Sequence, residues 1–201
     1  MVRARGLRSP HGSLCELDLE IPGGSYWALC GPAGSGKSGY VRLLSGLDAA
    51  GRGELYVDGT ELGGLAESER AAFRARAVSV VFPSGNLVAE LTLEENLELP
   101  LLLAPVPRSE RRQRAESALE MVGLYKLRHR KPAQVSLLDT QRAAFARGLL
   151  SGANLILADE PCRDLAPTDA GRLLDSGAAA QPRVSQDHRA GDAGRSSSQP
   201  R

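Results

Sequence analysis

Apolar and polar positions along this chain follow two periods in alternating blocks. Leu14 to Ile21 alternates apolar with polar residues, as a half-buried strand does, and Pro22-Gly23-Gly24 then turns the chain. Tyr26-Trp27-Ala28-Leu29-Cys30 is an unbroken apolar run and reads as a short buried strand, while Tyr40 to Leu44 continues as a helix. Glu54-Leu55-Tyr56-Val57 followed by Asp58-Gly59 reads as a strand and tight turn. Residues 66–76 predict a short helix, and the β-branched Val78 to Phe82 a buried strand stopped by Pro83. Leu93 to Leu103 predicts a helix as far as Pro100. Ala115, Ala118, Leu119 and Val122 recur at i, i+3, i+4 and i+7, an amphipathic helix ending at Gly123. Asp139 to Leu150 predicts another helix, and Leu155-Ile156-Leu157-Ala158 an apolar strand closing on Asp159-Glu160-Pro161. Strands interleaved with helices make this an α/β chain.

The pattern lapses after about Asp175. Residues 176–201 are almost all small, polar or charged, with Val184 nearly alone as a large apolar residue. Such a stretch cannot offset an ordering cost of about 1–2 kcal/mol per residue, so a disordered tail is expected after a domain over 1–175. At 201 residues the chain suits one domain with a sizeable core. A net charge of +1 implies no broad nucleic-acid footprint. The basic cluster around Arg108–Arg114 is interleaved with Glu110 and Glu116, as on a solvated helix face. Three unspaced cysteines, Cys15, Cys30 and Cys162, suit a reducing compartment. Residues 1–12 show no apolar signal core. The longest apolar run, Leu97 to Val106, is interrupted by Glu98, Pro100 and Pro105, far short of the ~20 residues that span a bilayer, so any membrane role is peripheral.

The candidate chemistry begins at residues 31–38. Gly31-Pro32-Ala33-Gly34-Ser35-Gly36-Lys37-Ser38 fits G-x-x-x-x-G-K-[ST], the loop whose backbone N–H groups wrap a polyphosphate. Its setting between an apolar run and a helix is the one the motif requires. Gly31, Gly34 and Gly36 let the amides close on phosphate, and the helix N-terminus that follows adds partial positive charge. Lys37 would place a point charge toward the terminal phosphates, and the Ser38 hydroxyl would take a Mg²⁺ position. Only Lys37, Lys126 and Lys131 are lysines in a chain rich in arginine, which argues against a chance match. At the end of the Leu155–Ala158 strand, Asp159 would bind Mg²⁺ or its water, and Glu160 would polarise an attacking water as the catalytic base.

With these residues in place the chain resembles the ATP-binding subunit of ABC transporters, most of all the lipoprotein-releasing and macrolide-exporter type. The likeness runs from about Leu7 to Leu174. It takes in Ser45-Gly46-Leu47-Asp48, Gly53 to Gly59, Leu91-Thr92-Leu93-Glu94-Glu95-Asn96-Leu97, and Leu155 to Pro161. The resemblance implies a P-loop ATPase core with an antiparallel β subdomain and a helical insertion at about 84–150. It implies ATP and Mg²⁺ as cofactors and a homo- or heterodimer of ATP-binding subunits. It also implies a transmembrane permease partner and a place on the cytoplasmic face of the inner membrane.

Several positions depart from that family. Its signature, Leu-Ser-Gly-Gly-Gln, falls on Val135-Ser136-Leu137-Leu138-Asp139, so that Leu137 and Leu138 stand where glycines let backbone approach a phosphate. Asp139, if it faced the nucleotide, would cost roughly 3 kcal/mol at ~5 Å and an effective dielectric near 20. An N-cap role suits Asp139 better. This signature should bind an opposed ATP poorly. Pro83 replaces a glutamine, and Arg8 to His11 offers no aromatic platform for adenine, although Arg8 or His11 would stack in part. Cys162-Arg163-Asp164-Leu165-Ala166 lacks the final aspartate of the family's dimer loop. In the family a hydrophobic strand follows the acidic pair by 20–25 residues, lies centrally in the sheet and ends at a histidine. Here Val184 to His188 only echoes it, and the chain reads as a decayed, truncated or frame-shifted copy.

Three functions follow: an ATP-hydrolysing transporter subunit, a nucleotide-binding partner deficient in hydrolysis, and a P-loop kinase or GTPase. The third lacks a base-specificity motif or a lid. Weak Mg-ATP binding with turnover near background is the expected behaviour.

Overall fold

The computed structural model describes residues 1–8, 16–32, 34–82, 86–103 and 105–179. Its first layer is an antiparallel sheet in the order β2-β1-β3-β4, built from β1 (Val2–Arg8), β2 (Leu17–Ile21), β3 (Arg52–Val57) and β4 (Thr60–Glu61). β1 was not foreseen. Its Val2, Ala4 and Leu7 are fully buried while the arginines between them face outward, and the register slips between Ala4 and Leu7. Gly6 sits in that bulge with φ 55°, its N–H donating to Asp18 Oδ1 at 2.7 Å. Gly53 of β3 approaches so closely that a β-carbon there would lie 2.3 Å from the Gly6 carbonyl oxygen. No larger residue fits that crossing. The turn after β3 is as expected, with Asp58 at φ 49° and Gly59 at φ 78°, the left-handed pair that a two-residue hairpin requires.

One face of this sheet is closed by α1 (Lys37–Leu44) and α2 (Glu67–Ala77). Leu43, Leu55, Val57, Leu62 and Phe73 meet there in a single apolar cluster. A second cluster belongs to the helical insertion, α3 (Leu93–Glu98), α4 (Arg108–Met121) and α5 (Leu137–Leu150). The four residues that marked the amphipathic α4 helix, Ala115, Ala118, Leu119 and Val122, are all buried in it. Beyond Glu98 the chain tightens to 3₁₀ geometry over Leu99–Leu103 and so passes through Pro100. Glu94, buried against α4, is held by Arg112 at 3.0 Å.

α5 joins the two clusters. Gly148 on its inner face lies against β5 (Val78–Val81) and β6 (Leu155–Ala158), where a β-carbon would stand 3.1 Å from Ser79 Oγ. β5 and β6 pair in parallel, Val78 opposite Leu155 through Val81 opposite Ala158. α6 (Pro167–Ala179) follows and packs on α5.

The apolar run Tyr26–Cys30 corrects the sequence reading. It forms no strand, its residues are exposed, and Trp27 is 55% accessible. Strand formation needs a neighbour to receive its N–H and C=O groups. Among the described residues β6 bonds only to β5, and nothing bonds to the backbone of 26–30. The tail expected over 176–201 lies, from Ala180 on, outside the described residues; α6 itself runs to Ala179.

α3 opens with a reciprocal cap that is testable. The Thr92 hydroxyl accepts from the Glu95 N–H at 3.2 Å, and Glu95 Oε2 accepts from the Thr92 N–H at 2.8 Å. The Thr92 backbone N–H, and then its hydroxyl, hold the Glu95 carboxyl below its ordinary value of 4.5. A depressed carboxyl stabilises the fold fully above its unfolded pKa, and that contribution is lost as pH falls through the folded value. Thr92→Ala is expected to cost about 1 kcal/mol at neutral pH. The parent's lead over Glu95→Gln in urea midpoint should shrink on acidification and vanish once the carboxyl is protonated. A lead that persists in acid would contradict the cap.

Candidate functional site

The site forms where α1 begins. Gly34 and Gly36 adopt φ 79° and 89°, which side-chain-bearing residues rarely tolerate, and Gly36 is the N-cap of α1. A glycine cap brings no side-chain oxygen, and α1 carries no acidic residue in its first turn. Its N-terminal N–H groups and partial positive charge are therefore left for an external anion. A β-carbon on Gly31 would come within 2.9 Å of Ser35 Oγ, so any larger residue there would have to turn the Ser35 hydroxyl aside. Ala33 lies outside the described residues.

Lys37 is turned into its own loop. Its ammonium donates to the carbonyls of Gly31 at 3.0 Å and Pro32 at 2.9 Å, and lies 3.9 Å from Glu160 Oε1. Ser38 crosses 121 positions of sequence to donate its hydroxyl to Asp159 Oδ1 at 2.8 Å. Asp159 is fixed in turn by its N–H, which donates to the Val81 carbonyl and so extends the β5–β6 ladder to the site. The structure thus gathers Lys37, Ser38, Asp159 and Glu160 at one place. A hydroxyl and a carboxylate in mutual contact are the hard oxygen donors that suit Mg²⁺, which takes few protein ligands and fills its shell with water and phosphate. No cluster of three or more His, Cys, Asp or Glu side chains able to hold a metal occurs among the described residues.

Glu160 has a partner the sequence reading missed. Arg163 Nη2 stands 2.7 Å from Glu160 Oε2, and the Arg163 N–H donates to the Glu160 carbonyl at 2.9 Å. The i, i+3 spacing was visible, but only the turn, with Glu160 at φ 42°, brings the two side chains together. Burial pushes the Cys162 thiol above its ordinary value. The Tyr26 phenol is raised too, by partial desolvation of a residue that stays about half exposed, with Cys162 adding to that effect.

The signature segment corrects two expectations. Ser136, not Asp139, is the N-cap of α5, its hydroxyl accepting from the Asp139 N–H at 3.1 Å. Asp139 sits three residues in, accepts from the Ser136 hydroxyl at 2.7 Å, and lies 4.0 Å from Arg142. The Ser-x-x-Asp spacing of a capping pair carried that signal. Leu138 points into the fold and is buried, so of the two leucines only Leu137, 43% exposed, stands outward. Arg8 pairs with Glu16 at 2.7 Å, whereas Pro83, His11 and His188 lie outside the described residues.

A profile of the ABC transporter family matches residues 14–163, three quarters of the chain. The chain belongs to the ABC transporter family. Within that family it is similar to the lipoprotein-releasing system ATP-binding protein LolD of Pseudomonas fluorescens, with 42% identity over 76% of this chain and 67% of that protein. An uncharacterised ABC transporter ATP-binding protein of Thermotoga maritima is 40% identical over 76% of this chain and 65% of its own length. The chain thus spans about two thirds of the length of these ATP-binding relatives. The macrolide export ATP-binding/permease protein MacB of Escherichia coli is 34% identical over 80% of this ABC chain, which covers 26% of MacB. Among solved structures, a dimeric ATP-binding cassette, MJ0796, in a post-hydrolysis state with ADP and Pi, superposes with a TM-score of 0.77. Its identity is 31%, over 88% of this chain and 81% of that one. The expected fold, an ABC ATPase core with an antiparallel sheet and a helical insertion, is therefore the observed one.

Proposed function

We propose that this chain is a nucleotide-binding subunit that holds Mg-ATP on the 31–38 loop and couples it to a transmembrane permease. The observation that carries this is the Ser38–Asp159 bond beside Lys37 at an uncapped helix N-terminus. An arriving triphosphate would draw the Lys37 ammonium away from the Gly31 and Pro32 carbonyls. Ser38 and Asp159 would hold Mg²⁺, which when bound offsets phosphate charge. Glu160 would accept the proton of an attacking water once free of Arg163. Pairing of two such subunits, a permease partner and a seat on the cytoplasmic face of the inner membrane are proposed from the likeness to the dimeric cassette and to LolD.

The geometry of the signature favours binding over efficient turnover. Ser136 and Asp139 satisfy each other, and an exposed leucine, Leu137, is the first residue of the α5 N-terminus that an opposed phosphate would have to approach. Calorimetry should record Mg-ATP binding that weakens without Mg²⁺, with phosphate release near background that Glu160→Gln removes without loss of affinity. Absence of binding by folded protein would overturn the reading, and turnover unaffected by Glu160→Gln would overturn the role of Glu160.

A further inference from the structure

We propose that Arg163 is a positioning residue that holds Glu160 back from the attacking water, a brake on turnover built into the turn that follows β6. It rests on the nucleotide reading above and adds a restraint that lies wholly within one chain. Glu160 stands between two cations: Lys37 Nζ lies 3.9 Å from its Oε1, and Arg163 Nη2 lies 2.7 Å from its Oε2. An arriving nucleotide would treat the two differently. Lys37 is otherwise bonded only to the Gly31 and Pro32 carbonyls, so a triphosphate draws it off. Arg163 is tied to Glu160 by the backbone as well. Its N–H donates to the Glu160 carbonyl at 2.9 Å, and the Leu165 N–H closes a second turn on the Cys162 carbonyl at 3.2 Å. These consecutive turns bring the guanidinium back to the residue on which they begin, so the pair persists when the phosphate site fills.

The backbone at Glu160 is held rather than relaxed. Among the described residues, Asp58, Asn86 and Asp164 have positive φ, which their short polar side chains tolerate. Glu160, at φ 42°, is the remaining residue other than glycine, and it lacks that tolerance. Such a conformation persists where the surroundings fix it. Here they fix the one carboxylate that would take a proton. A carboxylate accepting from a guanidinium has fewer lone pairs to offer a water, and the proton leaving that water would move toward a fixed positive charge. Arg163 is itself 58% exposed, so solvent screens the pair and keeps the restraint small. The brake slows turnover without abolishing it.

Phosphate release from Mg-ATP by the full chain, run beside a Mg-ATP titration, tests this. Arg163→Ala should raise the maximal rate about two- to fivefold, the range open to an ion pair with an exposed partner, at an unchanged half-saturating Mg-ATP concentration. Arg163→Lys keeps the charge and should stay near the parent. The gain should disappear when Glu160→Gln is added to Arg163→Ala. Without nucleotide, the Arg163 Nε–H resonance of the labelled full chain should move on Glu160→Gln. A resonance that stays in place overturns the pair. Mg-ATP binding with release unchanged or lowered in Arg163→Ala overturns the brake alone, as does a gain that survives Glu160→Gln. Folded protein that binds no Mg-ATP overturns the nucleotide reading, and the brake falls with it.

Discussion

Lys37→Ala is expected to weaken Mg-ATP binding by roughly 10- to 150-fold, the equivalent of about 1.5–3 kcal/mol for hydrogen bonds to a charged group. The lysine is the one side-chain cation already inside the loop, bonded to the Gly31 and Pro32 carbonyls and 3.9 Å from Glu160. In the free protein it stabilises the loop's own carbonyls; with nucleotide it would exchange them for phosphate oxygens. Its removal therefore takes away the strongest anion partner while touching nothing in either apolar cluster. Stability should change little, which separates a binding loss from an unfolding one. Lys37→Arg keeps the charge but replaces a compact ammonium by a planar fork, and should also lose most of the affinity. Isothermal titration with Mg-ATP, accompanied by a urea melt of each variant, checks both statements. An alanine variant that binds within threefold of the parent would remove the 31–38 loop from the proposed role.

Asn96→Leu should have the largest effect on stability, about 1–3 kcal/mol. Asn96 is fully buried, and its amide serves the loop ahead of α3 on both sides. Oδ1 accepts from the Val88 N–H at 2.7 Å, while Nδ2 faces the carbonyls of Val88 at 3.0 Å, Leu91 at 3.3 Å and Thr92 at 2.9 Å. Leucine fits the volume but leaves the part-buried Val88 N–H without its partner, at about 1–3 kcal/mol, while the Val88 carbonyl keeps the Leu91 N–H at 3.2 Å. The Thr92 carbonyl keeps the Asn96 backbone N–H at 3.0 Å and so is not orphaned. Asn96→Asp retains the acceptor for Val88 and loses the donor, and should fall between parent and leucine. Urea midpoints of the three proteins give the order. A leucine variant as stable as the parent would show that the loop satisfies itself by other means.

Much of this was legible because it is local. The α4 face, spaced at i, i+3, i+4 and i+7, is buried where its period says, and Asp58-Gly59 turns as its two residues require. The phosphate loop was readable for the same reason: glycine at positive φ, then lysine and serine on the first helical turn, are eight consecutive residues. β1 was missed because Gly6 breaks its alternation after two apolar positions, too short a signal to count. At the signature, the order Ser136 to Asp139 was local too, yet the weight given to Asp139 as a cap was misplaced. A serine three residues earlier opens the helix, its hydroxyl accepting from the Asp139 N–H, and Asp139 completes the pair from inside the helix.

What the sequence by itself determined is the set of groups available: a loop with glycines at its positive-φ positions, one lysine aimed at anions, and a hydroxyl and two carboxylates for a cation. What the tertiary structure alone decided is who meets whom. Ser38 and Asp159, far apart in the chain, come within 2.8 Å because β5 and β6 carry the acidic pair to the mouth of α1. Glu160 is held by Arg163 because the chain turns through positive φ there. The same apolar run that reads as a strand at 26–30 finds no partner among the described residues, and a strand is completed by its neighbours. Helices and turns close their hydrogen bonds within a few residues, so sequence predicts them; a sheet closes its bonds between distant segments, so only the fold can say whether the partner is present.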